Sequence, residues 1–164
     1  MVIANGGEQL ASDPAKLTAV RDRSLCPHCQ EGPQFYSMLF GLYKFDIDLA
    51  LSIARDGRES VELAEEDVKH SLDWSEIYQQ HLDHVDMRFP GIVSHYWYRE
   101  EDGTVLHGHV LIDGHHRAAK AAQLGVPFYV YVLTEEESKK VTLRAPAIDV
   151  AIVNDRLRYD DITR

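Results

Sequence analysis

The stretch Val110–Leu133, VLIDGHHRAAKAAQLGVPFYVYVL, constrains the fold of this 164-residue chain more than any other. It fits two apolar runs, two turns and an alanine-rich segment into very little chain. VLHGHVLID reads as a strand that ends at Asp113-Gly114. HRAAKAAQL has high helix propensity, Gly125 suits the position just past a helix end, and Pro127 cannot continue the helix. PFYVYVLT is β-branched and aromatic, hence a second strand. A strand running straight into a helix leaves free N–H groups and a partial positive charge at the turn between them.

That turn is Asp113-Gly114-His115-His116-Arg117. Gly114 lets a ligand come close to the backbone. Arg117 adds a fork suited to phosphate or carboxylate, and His115 and His116 donate hydrogen bonds. Together these residues make an anion site, most naturally for phosphate. Asp113 would orient a histidine, receive a substrate hydroxyl, or help hold a metal carried by a nucleotide. In the plainer reading Asp113 caps the helix, Gly114 makes the turn and the remainder is solvated surface. The crowding of bulky polar residues between apolar elements favours the anion site.

The remaining chain divides into an arm (1–34), one domain (35–145) and a tail (146–164). The arm is small and polar, with a short helix expected from Pro14. In 35–57 the residues Phe35, Leu39, Leu42, Ile47, Leu51 and Ala54 fall near helical spacing, with Gly57 as a stop and Gly41 as a division. This apolar helix is expected to be core or a homodimer face. ESVELA alternates and reads as a strand, and EEDVKHS as one helical turn. DWSEIYQQHLDHV reads as a helix capped by Asp73, with Glu76 three residues on. GIVSHYWYR and VLHGHVLID are strands joined through Asp102-Gly103. EEESKKVT begins a helix with Thr134 as N-cap and Glu137 three residues on. The tail reads as an added strand or a partner-binding arm. The mixture predicts an α+β fold, a small mixed β-sheet packed with helices, with an extra N-terminal helical segment.

Charge narrows the function. Lys+Arg number 17 against 27 Asp+Glu, a formal net charge of -10. A general duplex-DNA binder draws its affinity from cationic contacts to phosphates, so nucleic acid is not an expected partner. No apolar run is long enough to span a bilayer and the start has no secretory signal pattern, so the expected compartment is the cytosol.

The residues of Val110–Leu133 resemble the phosphate-binding motif of the ParB/sulfiredoxin superfamily, and the resemblance extends back towards Glu59. It implies a small sheet with helices and a nucleotide's phosphates at the motif turn, held by Gly114, His115, His116 and Arg117. Sulfiredoxins carry a reactive cysteine in a Gly-Gly-Cys-His-Arg turn, and His115 stands at its position here. The chromosome-partitioning members bind CTP through a Gly-x-Arg-Arg type motif and append a helix-turn-helix domain, and this chain has neither. The free-serine kinases, whose turn is close to Asp-Gly-His-His-Arg, are more similar. They phosphorylate a small hydroxyl substrate with ADP or ATP. The resemblance implies ATP or ADP with Mg²⁺ as cofactor, and Asp113, His115 and His116 as catalytic candidates. The glutamate these kinases use in a His-Glu pair is missing, because the nearest match is His70-Ser71. Glu65, Glu66 and Glu76 are the available substitutes. A nuclease is disfavoured by charge and by the lack of a paired metal-carboxylate motif.

Other features remain open. Cys26-Pro-His-Cys29 supplies two of the four ligands of a zinc site, or a redox dithiol, or nothing special. His107 and His109 share a strand face leading towards Asp113. They either line the site as ligands or acid–base groups, or decorate an edge strand. His81 and His84 read as a solvated helix surface, and His95-Tyr96-Trp97-Tyr98 as half core and half surface. The leading expectation is a nucleotide-binding protein with small-molecule kinase activity. Its alternatives are a non-catalytic sensor of a nucleotide or other anion, and a metal-dependent enzyme using the histidines.

Overall fold

The computed structural model describes residues 3–5, 33–73 and 75–146. Cys26, Cys29, the short helix expected from Pro14 and the tail beyond residue 146 lie outside the described residues. The elements run β1 (Ile3–Asn5), β2 (Phe35–Met38), β3 (Tyr43–Asp46), α1 (Ile47–Ala54), β4 (Val61–Leu63), α2 (Glu65–Asp73) and α3 (Gln79–Leu82). They continue with β5 (Gly91–Arg99), β6 (Val105–Asp113), α4 (His115–Leu124), β7 (Phe128–Val132), α5 (Glu135–Val141) and β8 (Thr142–Arg144).

The fold is mixed α+β with two sheets. The larger has the order β1-β4-β7-β5-β6 and the smaller β2-β3-β8. Within the larger sheet β5 and β7 are parallel and the other neighbours antiparallel. Helix α4 carries the chain from edge strand β6 past β5 to β7. Adjacent residues on a pleated strand point to opposite faces, and the core divides accordingly. Val93 and Leu111 pack with Val68, Ala118, Ala121 and Val130 on the α2/α4 side. Ile92 and Ile112 pack with Tyr43, Phe45, Ala50 and Val141 on the side of α1, α5 and the small sheet. Ala118 and Ala121 lie one turn apart, and their small side chains let α4 lie close against the sheet.

Local chemistry explains several boundaries. Thr134 Oγ1 accepts the Glu137 N–H at 3.2 Å, and Glu137 Oε2 accepts the Thr134 N–H at 2.9 Å, the capping box expected for α5. The same carboxylate takes two bonds from Arg58, at 2.9 and 2.7 Å, which fixes the α1–β4 connection to the start of α5. Arg58 holds the Glu137 carboxyl below the usual carboxylate range, and Asp56 at about 2.

Three expectations are corrected. The helical segment expected from Phe35, divided at Gly41, is a β-hairpin with Gly41 at its tip, followed by a short helix. Tyr43 and Phe45 are buried while Lys44 and Asp46 are less so, a strand period hidden in a dense apolar run. Leu39, Phe40 and Gly41 all take positive φ at the hairpin tip, and Asp46 Oδ1 caps α1 by accepting the Leu49 N–H at 3.0 Å. The helix expected over 73–85 shrinks to Gln79–Leu82, because α2 runs on through Asp73. The Tyr78 N–H donates to His116 Nε2 at 3.0 Å, and Tyr78 is extended. Finally, part of the expected N-terminal arm forms β1, antiparallel to β4.

Gly114 has φ 99°, and a Cβ on it would lie 2.9 Å from the Gly91 Cα. Gly103 has φ 88° in the β5–β6 turn, with nothing within 4 Å of its would-be Cβ. G103A should therefore lose only the conformational term, roughly 1 kcal/mol. G114A should lose that and the overpacking cost together, roughly 2–4 kcal/mol. Urea denaturation of both variants measures the difference; equal losses would mean that the Gly91–Gly114 contact carries no weight.

Candidate functional site

Strand β6 ends at Asp113, Gly114 turns the chain, and α4 begins at His115. The first helical bond runs from the Ala118 N–H to the Gly114 carbonyl at 2.8 Å. The N–H groups of His115, His116 and Arg117 precede it and have no intrahelical acceptor. This helix mouth opens into a cleft of about 1160 Å³, lined by all five residues Asp113–Arg117. Facing them are Phe35, Tyr36 and Ser37 of the hairpin, Arg55 after α1, Ser75, Glu76 and Tyr78 before α3, and Phe89-Pro90 before β5.

Each predicted residue has a definite environment. His115 stacks on Tyr36 with ring centroids 4.7 Å apart. Its Nε2 is buried and lacks a hydrogen-bond partner among the described residues. Burial pushes its pKa from 6.5 to about 4, against the upward pull of Asp113 and of a backbone hydrogen bond at Leu111; Arg117 adds to the lowering. His115 is therefore a neutral ring near pH 7. His116 is buried, stacks on Tyr78 at 5.8 Å and meets His81 edge-on at 4.7 Å. Because its Nε2 accepts the Tyr78 N–H, that nitrogen carries no proton.

Arg117 is already engaged. Its Nη1 donates to the carbonyls of Phe89 and Pro90 at 2.9 and 3.0 Å, and its Nη2 to Asp113 Oδ2 at 2.6 Å. Asp113 thus pairs with Arg117 four residues on, and the N-cap position belongs to Gly114. The guanidinium ties the turn to the loop before β5, with two of its five donors outside these bonds. Of the three glutamates considered as substitutes for the missing kinase residue, Glu76 lines the cleft. Glu65 instead pairs with Lys69 on α2.

The histidines divide in an unexpected way. His81 and His84 do not form a solvated surface: both line the cleft, His84 is buried, and His81 Nδ1 lies 3.2 Å from His84 Nε2. His107 and His109 are not among the residues lining the cleft. They cluster with His95 farther along the β5–β6 hairpin, where the three could hold a metal ion. Sequence reasoning missed Tyr36, Arg55 and Tyr78 as site residues. Each comes from an element whose boundary was misplaced, and no motif marks them.

The depressed pKa has a consequence for stability. Between pH 6.5 and about 4 the unfolded chain protonates His115 while the folded chain does not, so acidification across this window favours unfolding. Each pH unit of displacement is worth about 1.4 kcal/mol. The H115Q variant should lose stability less steeply between pH 6.5 and 4 than the parent in urea titrations. Parallel curves would show that His115 titrates normally.

Comparison with protein-family models, with curated proteins and with solved structures gives no match.

Proposed function

We propose that the cleft at the mouth of α4 binds the phosphate groups of a nucleotide, and that the chain is a ParB/sulfiredoxin-like nucleotide-binding protein. Within this reading, transfer of a phosphoryl group to a small hydroxyl substrate is the activity the site would support. One observation carries it: a helix N-terminus begun by a left-handed glycine opens into a cleft large enough for a nucleotide. Phosphate oxygens would take the N–H groups of His115 and His116 and the outward donors of Arg117. Tyr36 and Phe35 offer aromatic faces for a base. The neutral His115 offers an unpaired ring nitrogen at the same turn.

For catalysis, ATP or ADP would arrive with Mg²⁺. Glu76 is the carboxylate best placed among the three candidates to accept a substrate proton. The engagement of Arg117 by Asp113 favours a second reading, a non-catalytic nucleotide sensor, because the cation is neutralised at rest.

Calorimetric titration with ATP, ADP and CTP, with and without Mg²⁺, tests the binding. The parent chain should bind one nucleotide saturably. R117A should weaken binding roughly 10- to 100-fold, the usual weight of hydrogen bonds to charged groups, with circular dichroism confirming the fold. R55A provides a second cleft variant whose residue is exposed. Absence of binding to all three nucleotides would overturn the proposal. E76Q then separates enzyme from sensor: a kinase loses transfer of labelled phosphate to hydroxyl compounds while keeping nucleotide affinity, whereas a sensor shows no transfer in either form.

A further inference from the structure

We infer that His95, His107 and His109 form a binding site for one divalent transition-metal ion, outside the α4 cleft. The hairpin register assembles it. His95 pairs across the strands with His109, and Trp97 with His107. Opposed residues and residues two apart share a face, so all three imidazoles stand on one side of the hairpin.

Their nitrogens converge. His95 Nδ1 lies 2.6 Å from His107 Nε2, and one ligand nitrogen from each ring lies within 4.8 Å of the others. Nitrogens around a tetrahedral zinc, each 2.0–2.1 Å from the metal, sit about 3.3 Å apart. That spacing fits within the 4.8 Å span of the three nitrogens, and the hydrogen-bonded His95–His107 pair would open to it by ring rotation. A bland role also exists: His107 covers buried Trp97, stacked at 5.2 Å and 8°, with Lys139 over the same indole at 5.1 Å. Covering an indole needs a ring face from one histidine. It does not require three rings to turn nitrogens towards a common point.

The surroundings suit a cation of this class. Imidazole prefers zinc, copper, nickel and iron over magnesium or calcium. Glu135 places a carboxylate within electrostatic reach of the cluster, against the cation Lys139. A backbone hydrogen bond at Leu133 steadies the His95 ring. Such support is typical behind a metal-binding histidine. His107 and His109 are exposed, so the metal would keep coordination positions open to water, as three-ligand sites do.

The test uses tag-free, full-length protein carrying C26S/C29S, stripped with a chelator and titrated with Zn²⁺ by calorimetry and with Co²⁺ by visible absorption. One ion per chain is expected, with intense tetrahedral-type cobalt bands. H107A and H109A should each weaken Zn²⁺ binding by more than the roughly 10- to 100-fold that loss of a supporting contact costs at metal sites. Both side chains are exposed, so the fold should survive, and H70A on the exposed side of α2 should bind like the parent. No saturable uptake, or uptake unchanged in the H107A/H109A double variant, would overturn the inference. Nucleotide titrations do not enter the test, so it is independent of the function proposed for the cleft.

Discussion

The close approach of Gly91 to Gly114 is the contact on which the candidate site depends. A Cβ on Gly91 would lie 2.7 Å from the Asp113 carbonyl and 2.8 Å from the Phe128 ring. With hydrogen in place of both side chains, the start of β5 can lie directly beneath the turn that begins α4. Because β5 starts there, the Phe89 and Pro90 carbonyls come within reach of Arg117. The guanidinium then spans the gap between loop and helix and takes Asp113 as its third partner. Separating the strands here by even the thickness of a methyl group would break this arrangement, whatever the rest of the core did.

The sequence showed β5, β6, α4, β7 and α5 because each carries a local signal that agrees with its tertiary environment. Gly125 follows α4, the Thr134–Glu137 box opens α5, and Asp102-Gly103 joins β5 to β6. It misled where two periods overlap. From Phe35 to Ala54 most positions are apolar or aromatic, so helical spacing can be picked out of a stretch that is half hairpin. The choice is made by tertiary pairing, since β3 finds β8 nearly a hundred residues later. Around 73–85 a helical pattern is overruled by one long-range bond, from the Tyr78 N–H to His116. The turn residues of the site were legible for the same reason as α4, but the residues facing them come from the misread elements.

The histidine cluster on the hairpin was one residue of register away from being legible in the sequence. Taking Asp102-Gly103 as a two-residue turn sets His95 against Val110; the loop is one residue longer and centred on Asp102, which sets His95 against His109 and Trp97 against His107. Reading His107 and His109 without their partners led instead towards Asp113. Leu111 lies between, buried in the α2/α4 core, and it separates the cluster from the helix mouth. One group of histidines therefore lies at the mouth of α4 and another on the β5–β6 hairpin, with different chemistry. Near α4 the rings are stacked, bonded to backbone and partly buried. Farther along they converge on each other at the surface.

The Asp113–Arg117 pair bears on how a phosphate would enter an acidic protein. Its two side chains are 17% and 13% exposed, so parting them with nothing in return would leave two poorly solvated charges. A bare phosphate taking the Nη2 donor would strand Asp113, and one taking the two donors outside these bonds would still lie beside its carboxylate. A nucleotide that brings Mg²⁺ removes the conflict, because the cation can satisfy Asp113 while the phosphates take the guanidinium. Each charge then exchanges one partner for another. Under the proposed function, the carboxylate at the start of the motif is what makes the site select a metal-bound nucleotide over a free anion. That selectivity suits a chain whose net charge of -10 repels anions at long range.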